Sequence, residues 1–337
     1  MARISGWTIC LLMPALLFAP VTAATGGSLD LNKAEKARAR ATVRELTRSV
    51  QQAAEGNSRR AAVKAAEAVA GYWIRGVGED APEWAKRIEF EWQTKEDDKP
   101  EWSVLTVQPL FQTENKRDTI FTQLRIGQDY TFNNHRTTTN TGFGYRRLVM
   151  DNRMLLGGNV FFDHEFESHH SRVGFGGELR WGGFDLYANY YEAITSKRTR
   201  GDEFEQALDG YDVELTGQLP YLPWARLRGK FFHFDTITKA DNVDGFTASL
   251  EFDLHQNIQL EMGFSDDDNT RDGFFFTQIR FRAASTGRPV LASDRWLDSV
   301  AYRWQDMREH TLDKVRRENE IVIEKTVGGS IQISRGT

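Results

Sequence analysis

From residue 87 to residue 282, apolar and polar side chains change places at nearly every position. In 171–181, Val173, Phe175, Gly177, Leu179 and Trp181 fall on one face of an extended chain, and Arg172, Gly174, Gly176, Glu178 and Arg180 on the other. Successive side chains of a strand point to opposite faces, so one side here is apolar and the other charged. The same period predicts strands over 87–94, 102–112, 119–128, 137–147, 153–163, 171–181, 184–192, 209–218, 225–235, 244–253, 257–265 and 273–282. Twelve is an even number, and each segment has about the 8–12 residues that a tilted strand needs to cross a hydrocarbon layer. The later ones are cleanest: Phe246, Ala248, Leu250 and Phe252 alternate with Thr247, Ser249, Glu251 and Asp253.

The connections alternate in size. Gly182-Gly183, His255-Gln256 and 219–224 read as turns on one rim; 128–136, 164–170, 192–208 and 236–243 are longer, polar, and fall on the other. Pro109 lies inside the second strand and, lacking a donor, predicts a bulge or a shorter strand there. No second apolar layer is available to cover the apolar faces. In lipid, only helices or edge-free barrels pair every backbone group, so the pattern predicts an all-β fold: a 12-stranded antiparallel transmembrane β-barrel over 85–282. The polar set then faces the lumen, where Arg125, Arg146, Arg172, Arg180, Arg226, Arg228, Lys230 and Arg280 stand against Asp163, Glu178, Asp212, Glu214, Glu251, Asp253 and Glu261. Asp212 and Glu214 are expected to face Arg226 and Arg228 across a short turn. Buried charges need partners, so these are read first as a structural ladder.

The N-terminus supplies the address. Arg3, an apolar run over 7–19 and the small residues Val21-Thr22-Ala23-Ala24 form a secretory signal peptide, assigned to 1–23. The run is too short to span a bilayer as a helix. The single cysteine, Cys10, lies inside it, which removes disulfides, thiolate catalysis and Cys-based metal sites from the mature chain. Aromatics at 12%, led by 22 Phe, together with 28 Gly, fit an exported barrel better than a soluble domain. A net charge of −5 is too mild to imply nucleic acid.

Two flanks lack the alternation. Residues 24–84 are expected to be a periplasmic helical arm, because Leu31, Ala34, Ala37, Ala41, Leu46 and Val50 recur at helical spacing before Gly56-Asn57. Residues 283–337 are expected to be a helix over 296–317 and a linker, threading the lumen. A helix of that length spans about 30 Å, enough to cross it. Arg303, Arg308, Lys314, Arg316 and Arg317 would then meet Glu251, Asp253 and Glu261, and Asp298, Asp306, Glu309 and Asp313 would meet Arg226, Arg228 and Arg280.

The chain resembles the inverse autotransporter β-domain of the intimin/invasin adhesins. The resemblance rests on Asn140-Thr141-Gly142-Phe143-Gly144-Tyr145-Arg146, Gly158-Asn159-Val160-Phe161-Phe162-Asp163, His170 to Glu178, Ala188-Asn189-Tyr190-Tyr191, Gly210-Tyr211-Asp212 with Leu219-Pro220, and the stretch Arg317 to Glu324. It departs from the family pattern in 192–208 and at Phe276, where a glycine is expected. The resemblance implies a twelve-stranded outer-membrane barrel of a Gram-negative bacterium, with its N-terminal arm in the periplasm. Its C-terminal linker would reach the cell surface, in a non-enzymatic role within type V secretion. The implied partners are outer-membrane lipid, periplasmic chaperones and the barrel-assembly machinery, with peptidoglycan or a separate passenger chain as further ones. An Ig-like passenger needs about 100 residues and seven strands, so a short C-terminal peptide is the expected exposed part.

Two other functions fit a charged barrel: a porin, and a barrel phospholipase. The phospholipase needs a Ser nucleophile, a His base and an orienting group, for which His169-His170-Ser171 is the candidate cluster. His164, His169 and His170 beside Asp163 and Glu165 read as solvated loop residues rather than metal ligands, and Asp266-Asp267-Asp268 lacks a full calcium-ligand loop. No cofactor, metal or catalytic residue is assigned.

Overall fold

The computed structural model describes residues 83–96, 99–132, 134–200, 203–238, 241–268, 273–283, 289–291, 297–302, 305–327 and 330–334. The expected signal peptide and the expected helical segments over 31–70 lie outside them. After a four-residue helix α1 (Glu83–Lys86), the chain forms β1 (Ile88–Lys95), β2 (Glu101–Gln112), β3 (Asp118–Thr131), β4 (Asn134–Val149), β5 (Met154–Glu165), β6 (Ser171–Trp181) and β7 (Phe184–Ala193). A small hairpin follows, β8 (Arg198–Arg200) and β9 (Glu203–Ala207). Then come β10 (Gly210–Leu219), β11 (Leu222–Phe234), β12 (Val243–His255), β13 (Ile258–Asp267) and β14 (Phe274–Arg282).

Strands β1–β7 and β10–β14 make a closed antiparallel barrel of twelve, each pairing with its neighbour in sequence. It closes where β1 meets β14, from Glu89↔Arg282 to Lys95↔Phe276. Closure removes the edges that lipid does not tolerate. Phe175, Leu215, Leu227, Phe246 and Phe275 point outward and are exposed, whereas Asn140, Arg146, Asp163 and Arg172 point inward and are fully buried. Inward glycines let the aromatic layer in. A Cβ on Gly142 would meet the Phe161 ring at 2.3 Å, and one on Gly144 would meet the Phe121 ring at 2.3 Å.

Two strand boundaries differ from the sequence pattern. The expected 128–136 loop is mostly ladder, because Gln128↔Thr137 through Thr131↔Asn134 continue the β3–β4 pairing. Asp129, Thr131 and Arg136, in register with the lumen-facing positions, are buried there rather than in a loop. The register of β2 on β3 shifts between Pro109 and Phe111, the irregularity expected at a residue with no donor.

The expected helix over 296–317 is a correction. Among the described residues of that span, the only helical turn is a 3₁₀ turn, Met307–His310, with Asp306 as its N-cap. Two further strands, β15 (Ile323–Val327) and β16 (Ser330–Ser334), follow it and join the loop hairpin in a second sheet ordered β16-β15-β9-β8.

Candidate functional site

The route of the C-terminal segment defines the site. Leaving β14 on the short-turn rim, it passes the β12–β13 turn, where Leu291 N–H donates to Asp253 O at 2.9 Å. It then passes the β10–β11 turn, where Asp298 N–H donates to Tyr221 O at 2.9 Å and Tyr221 N–H to Ala301 O at 3.0 Å. Met307 N–H donates to Asn152 O in the β4–β5 turn, and its side chain packs on Leu148 and Leu155. From there, 311–322 run through the lumen, and β15 emerges at the long-loop rim against β9.

The lumen accounts for the missing helix. Its wall side chains take the hydrogen bonds that a helix would have made internally. Arg146 donates to the carbonyls of Thr311 and Asp313, Asn189 to that of Arg316, Arg172 to that of Glu318, and Asn140 to that of Asn319. Val315 N–H donates to Gln123 Oε1 at 2.7 Å. An extended chain advances about 3.3 Å per residue against 1.5 Å in a helix, so roughly ten residues do the work of twenty. The apolar side of the plug is small: Val315 and Leu312 pack on Leu105, Val107, Phe121 and Phe161.

Charge pairing fixes the register. Arg317 donates to both oxygens of Asp163, at 2.7 Å each, with its guanidinium 4.3 Å from the Phe161 ring centroid. Arg172 holds the same carboxylate at 2.9 Å. Arg316 bridges Glu214 at 3.0 Å and Glu251 at 2.6 Å. Lys314 pairs with Glu91, Asp313 with Arg180, Glu318 with Lys230 and Glu320 with Arg125. Charges that leave water need partners of this quality, since an unpaired one is strongly destabilising.

The remaining charges named from sequence lie on the same inner wall; the expected pairing holds for Glu214 with Arg228 and fails for Asp212 with Arg226. The β10–β11 register sets Glu214 opposite Lys230, Thr216 opposite Arg228 and Gln218 opposite Arg226. Arg228 binds Glu214 and Glu261, while Arg226 binds Asp185. Asp212 accepts from Tyr191 and Asn189, Glu178 from Arg146, Asp253 from Arg282 and Gln259, and Arg280 donates to Glu91. In the tail, Arg308 stays exposed on Asp306, and Arg303 lies outside the described residues. Glu91, Asp185, Glu318 and Glu320 join the lumen charges beyond those expected from sequence. Glu91 between Phe90 and Trp92, and Asp185 between Phe184 and Leu186, carry the same alternation that revealed the others.

Beside the plug, the lumen keeps a small polar cavity of about 80 Å³, bordered by Glu101, Arg125, Arg228, Lys230, Thr247 and Glu261 among others. At the exit, Ile321 and Ile323 pack with Ala207, Phe132 and Ala193, and Val322 with Tyr191, Leu208, Phe232 and Phe234. The Glu324 carboxylate accepts the N–H groups of Ile237 at 2.8 Å and Thr238 at 3.1 Å.

The histidine cluster lies only partly in solvent: His169 is exposed as expected, and His164 is half-buried. His170 is fully buried, 3.8 Å from Glu205, which sits on Arg136. His164 Nδ1 lies 2.8 Å from Ser171 Oγ, with His164 stacked on His169. Ser171 is itself buried, and among the described residues no group orients His164 from its other nitrogen. The pair lacks the third member that a nucleophilic site requires.

A closed barrel with an apolar outer belt and a charged lumen occupied by its own chain is an outer-membrane β-barrel with an internal plug. The chain belongs to the inverse autotransporter β-domain family, whose model matches residues 39–319. It is 28% identical over 209 residues to the inverse autotransporter adhesin YeeJ of Escherichia coli K12, covering 56% of this chain and 8% of that protein. To the intimin of Citrobacter freundii it is 31% identical over 149 residues, covering 42% and 14%. The matched stretches are thus a small part of these relatives' length. One solved membrane protein, from "Unveiling the Mechanism Behind the in-meso Crystallization of Membrane Proteins", superposes with a TM-score of 0.57 at 18% identity over 71% of this chain and 98% of its own, a likeness of fold.

Proposed function

We propose that the barrel anchors its C-terminal segment in the outer membrane and exports it, with the short-turn rim in the periplasm and the long-loop rim at the cell surface. One observation carries the reading. The chain enters the lumen at the short-turn rim and leaves at the other, and its charges are matched to the wall from Asp313 to Glu320. Such a fit holds one segment in one register and leaves little room for solute traffic, which weighs against a general porin. Outer-membrane lipid and the barrel-assembly machinery are the partners that go with this reading. Peptidoglycan, or a passenger on a separate chain, is a further one.

Single cysteines test the orientation, since Cys10 belongs to the expected signal peptide. Ser330→Cys should react with an impermeant thiol reagent on intact cells, whereas Val300→Cys, beside the β10–β11 turn, should react only after the outer membrane is broken. The opposite pattern would reject the proposal.

A further inference from the structure

We infer that the exit sheet is a two-stage mechanical tether for load reaching the chain beyond Ser334, an inference that takes its cellular setting from the export reading above. Topology and register set the order in which the sheet yields. Strand β15 leaves the lumen at Ile323, and β16 runs back along it, so that Ser334 lies directly opposite Ile323. The lumen holds the first of these residues, and load arrives at the second. Force is therefore applied across a single cross-strand pair. The hairpin must open pair by pair, Ile323↔Ser334 first, then Glu324↔Ile333, Lys325↔Gln332, Thr326↔Ile331 and Val327↔Ser330. The pairs meet the load in turn, Ile333 leaving the apolar cluster of Tyr191, Phe232, Phe234 and Val243 as its own pair opens.

The other side of β15 resists differently. It is antiparallel to β9 from Ile323↔Ala207 to Val327↔Glu203. The start of that pairing is tied to the barrel by Leu208 N–H donating to Val322 O at 2.9 Å. Once the hairpin is open, further movement outward requires β15 to slide along β9, so that its five pairs fail together. The same slide must take Glu324 off the amides of Ile237 and Thr238, Lys325 off Glu203 at 2.7 Å, and Arg317 off Asp163. Sliding is a shear of many contacts in parallel; opening the hairpin is a series of single ones.

The charges follow the same division. Among 331–333 of β16 none is charged, whereas β15 is fixed by both Glu324 and Lys325. The weak stage thus yields length and the strong stage holds. The twelve residues from Ile323 to Ser334 span about 40 Å when extended, at roughly 3.3–3.6 Å each.

Force spectroscopy on the full-length protein in a lipid disc tests this, with one handle on the barrel and one at the C-terminal end. A first step of about 40 Å contour at low force should precede a second rupture at clearly higher force. Thr326→Cys with Ile331→Cys, in a Cys10→Ser background, should roughly halve the first step when oxidised and restore it on reduction. Gln332→Pro should lower the force of the first step and leave the second unchanged. One rupture without an intermediate, a first step indifferent to oxidation, or a proline that weakens both steps would overturn the inference. The measurement uses purified protein, so it stands or falls separately from the labelling that tests orientation in cells.

Discussion

Arg317 meets Asp163 in a two-pronged contact, both nitrogens 2.7 Å from the carboxylate, on a wall where Asp163 is fully buried. This pair joins the tail to β5, and Arg172 supports it from β6 at 2.9 Å. The two partners are therefore not equivalent. Asp163→Asn leaves two guanidinium groups facing each other without a counter-charge and should cost about 3–5 kcal/mol. Arg317→Ala leaves the Asp163–Arg172 pair standing and should cost clearly less. The temperature at which the folded band converts to the unfolded one on a gel ranks them; equal losses would mean that Arg172 does not share the carboxylate.

The difference between wall and plug explains what could be read in advance. The strands obey a local rule, because a residue such as Phe246 faces lipid and its neighbour Thr247 faces the lumen wherever the chain is extended. The plug obeys no local rule. Its spacing of Val300, Met307 and Leu312 suits a helix, yet Arg146 and Arg172, more than a hundred residues away, take its carbonyls and keep it extended. The choice of partners was hidden for the same reason. Arg226 finds Asp185 rather than Asp212 because β7 lies beside β10 in the closed barrel and the register sets Gln218 opposite Arg226. The pairing of β9 with β15 joins segments over a hundred residues apart, which no short pattern records.

Lipid-facing and lumen-facing positions on one strand should separate in assembly. Leu250 is exposed on the outer face near the middle of β12, and arginine there should cost about 2–4 kcal/mol near the midplane. Thr247→Arg points into the polar cavity beside the plug, which Glu261 also lines, and should be milder. Heat-modifiability and the fraction recovered in membranes report both. Equal effects would mean that the register of β12 is wrong.

Side chains at Gly142 should act on the plug through Phe161. The two lie opposite each other on β4 and β5, and a Cβ would come within 2.3 Å of the ring. Gly142→Ala should displace the ring, loosen Arg317 above it and cost about 1–3 kcal/mol. Gly177, whose Cβ would meet nothing within 4 Å, is the control, and Gly177→Ala should be near neutral. Comparable losses from the two would separate the effect from Phe161.

Truncation after Arg308 should open the pore. It removes Lys314, Arg316 and Arg317, leaving Glu91, Glu214, Glu251 and Asp163 without their plug partners. Planar-bilayer recordings should show steady conductance several times that of the full chain, with little ion preference, because the same cut removes Asp313, Glu318 and Glu320 and frees Arg180, Lys230 and Arg125. Unchanged conductance would mean that the tail does not fill the lumen.

Acid should loosen the exit sheet before it harms the barrel. Burial alone would push the Glu205 carboxyl up, but His170 and the guanidinium of Arg136 outweigh it and hold the group below the ordinary carboxylate range. Glu165 shares Arg136 at 3.4 Å, and Lys325 approaches Glu205 at 3.8 Å, so the charge on Glu205 helps tie β9 to both the barrel and β15. A carboxylate depressed by folding contributes stability that is fully present above its unfolded value of about 4.3 and is lost as pH falls towards its folded value. Hydrogen exchange of the β9 and β15 amides, corrected for intrinsic rates, should therefore accelerate below about pH 4 while the β4–β6 amides stay protected. Glu205→Gln should raise exchange at neutral pH and flatten its acid dependence. A variant that keeps the full acid response would place the responsible carboxylate elsewhere in the cluster.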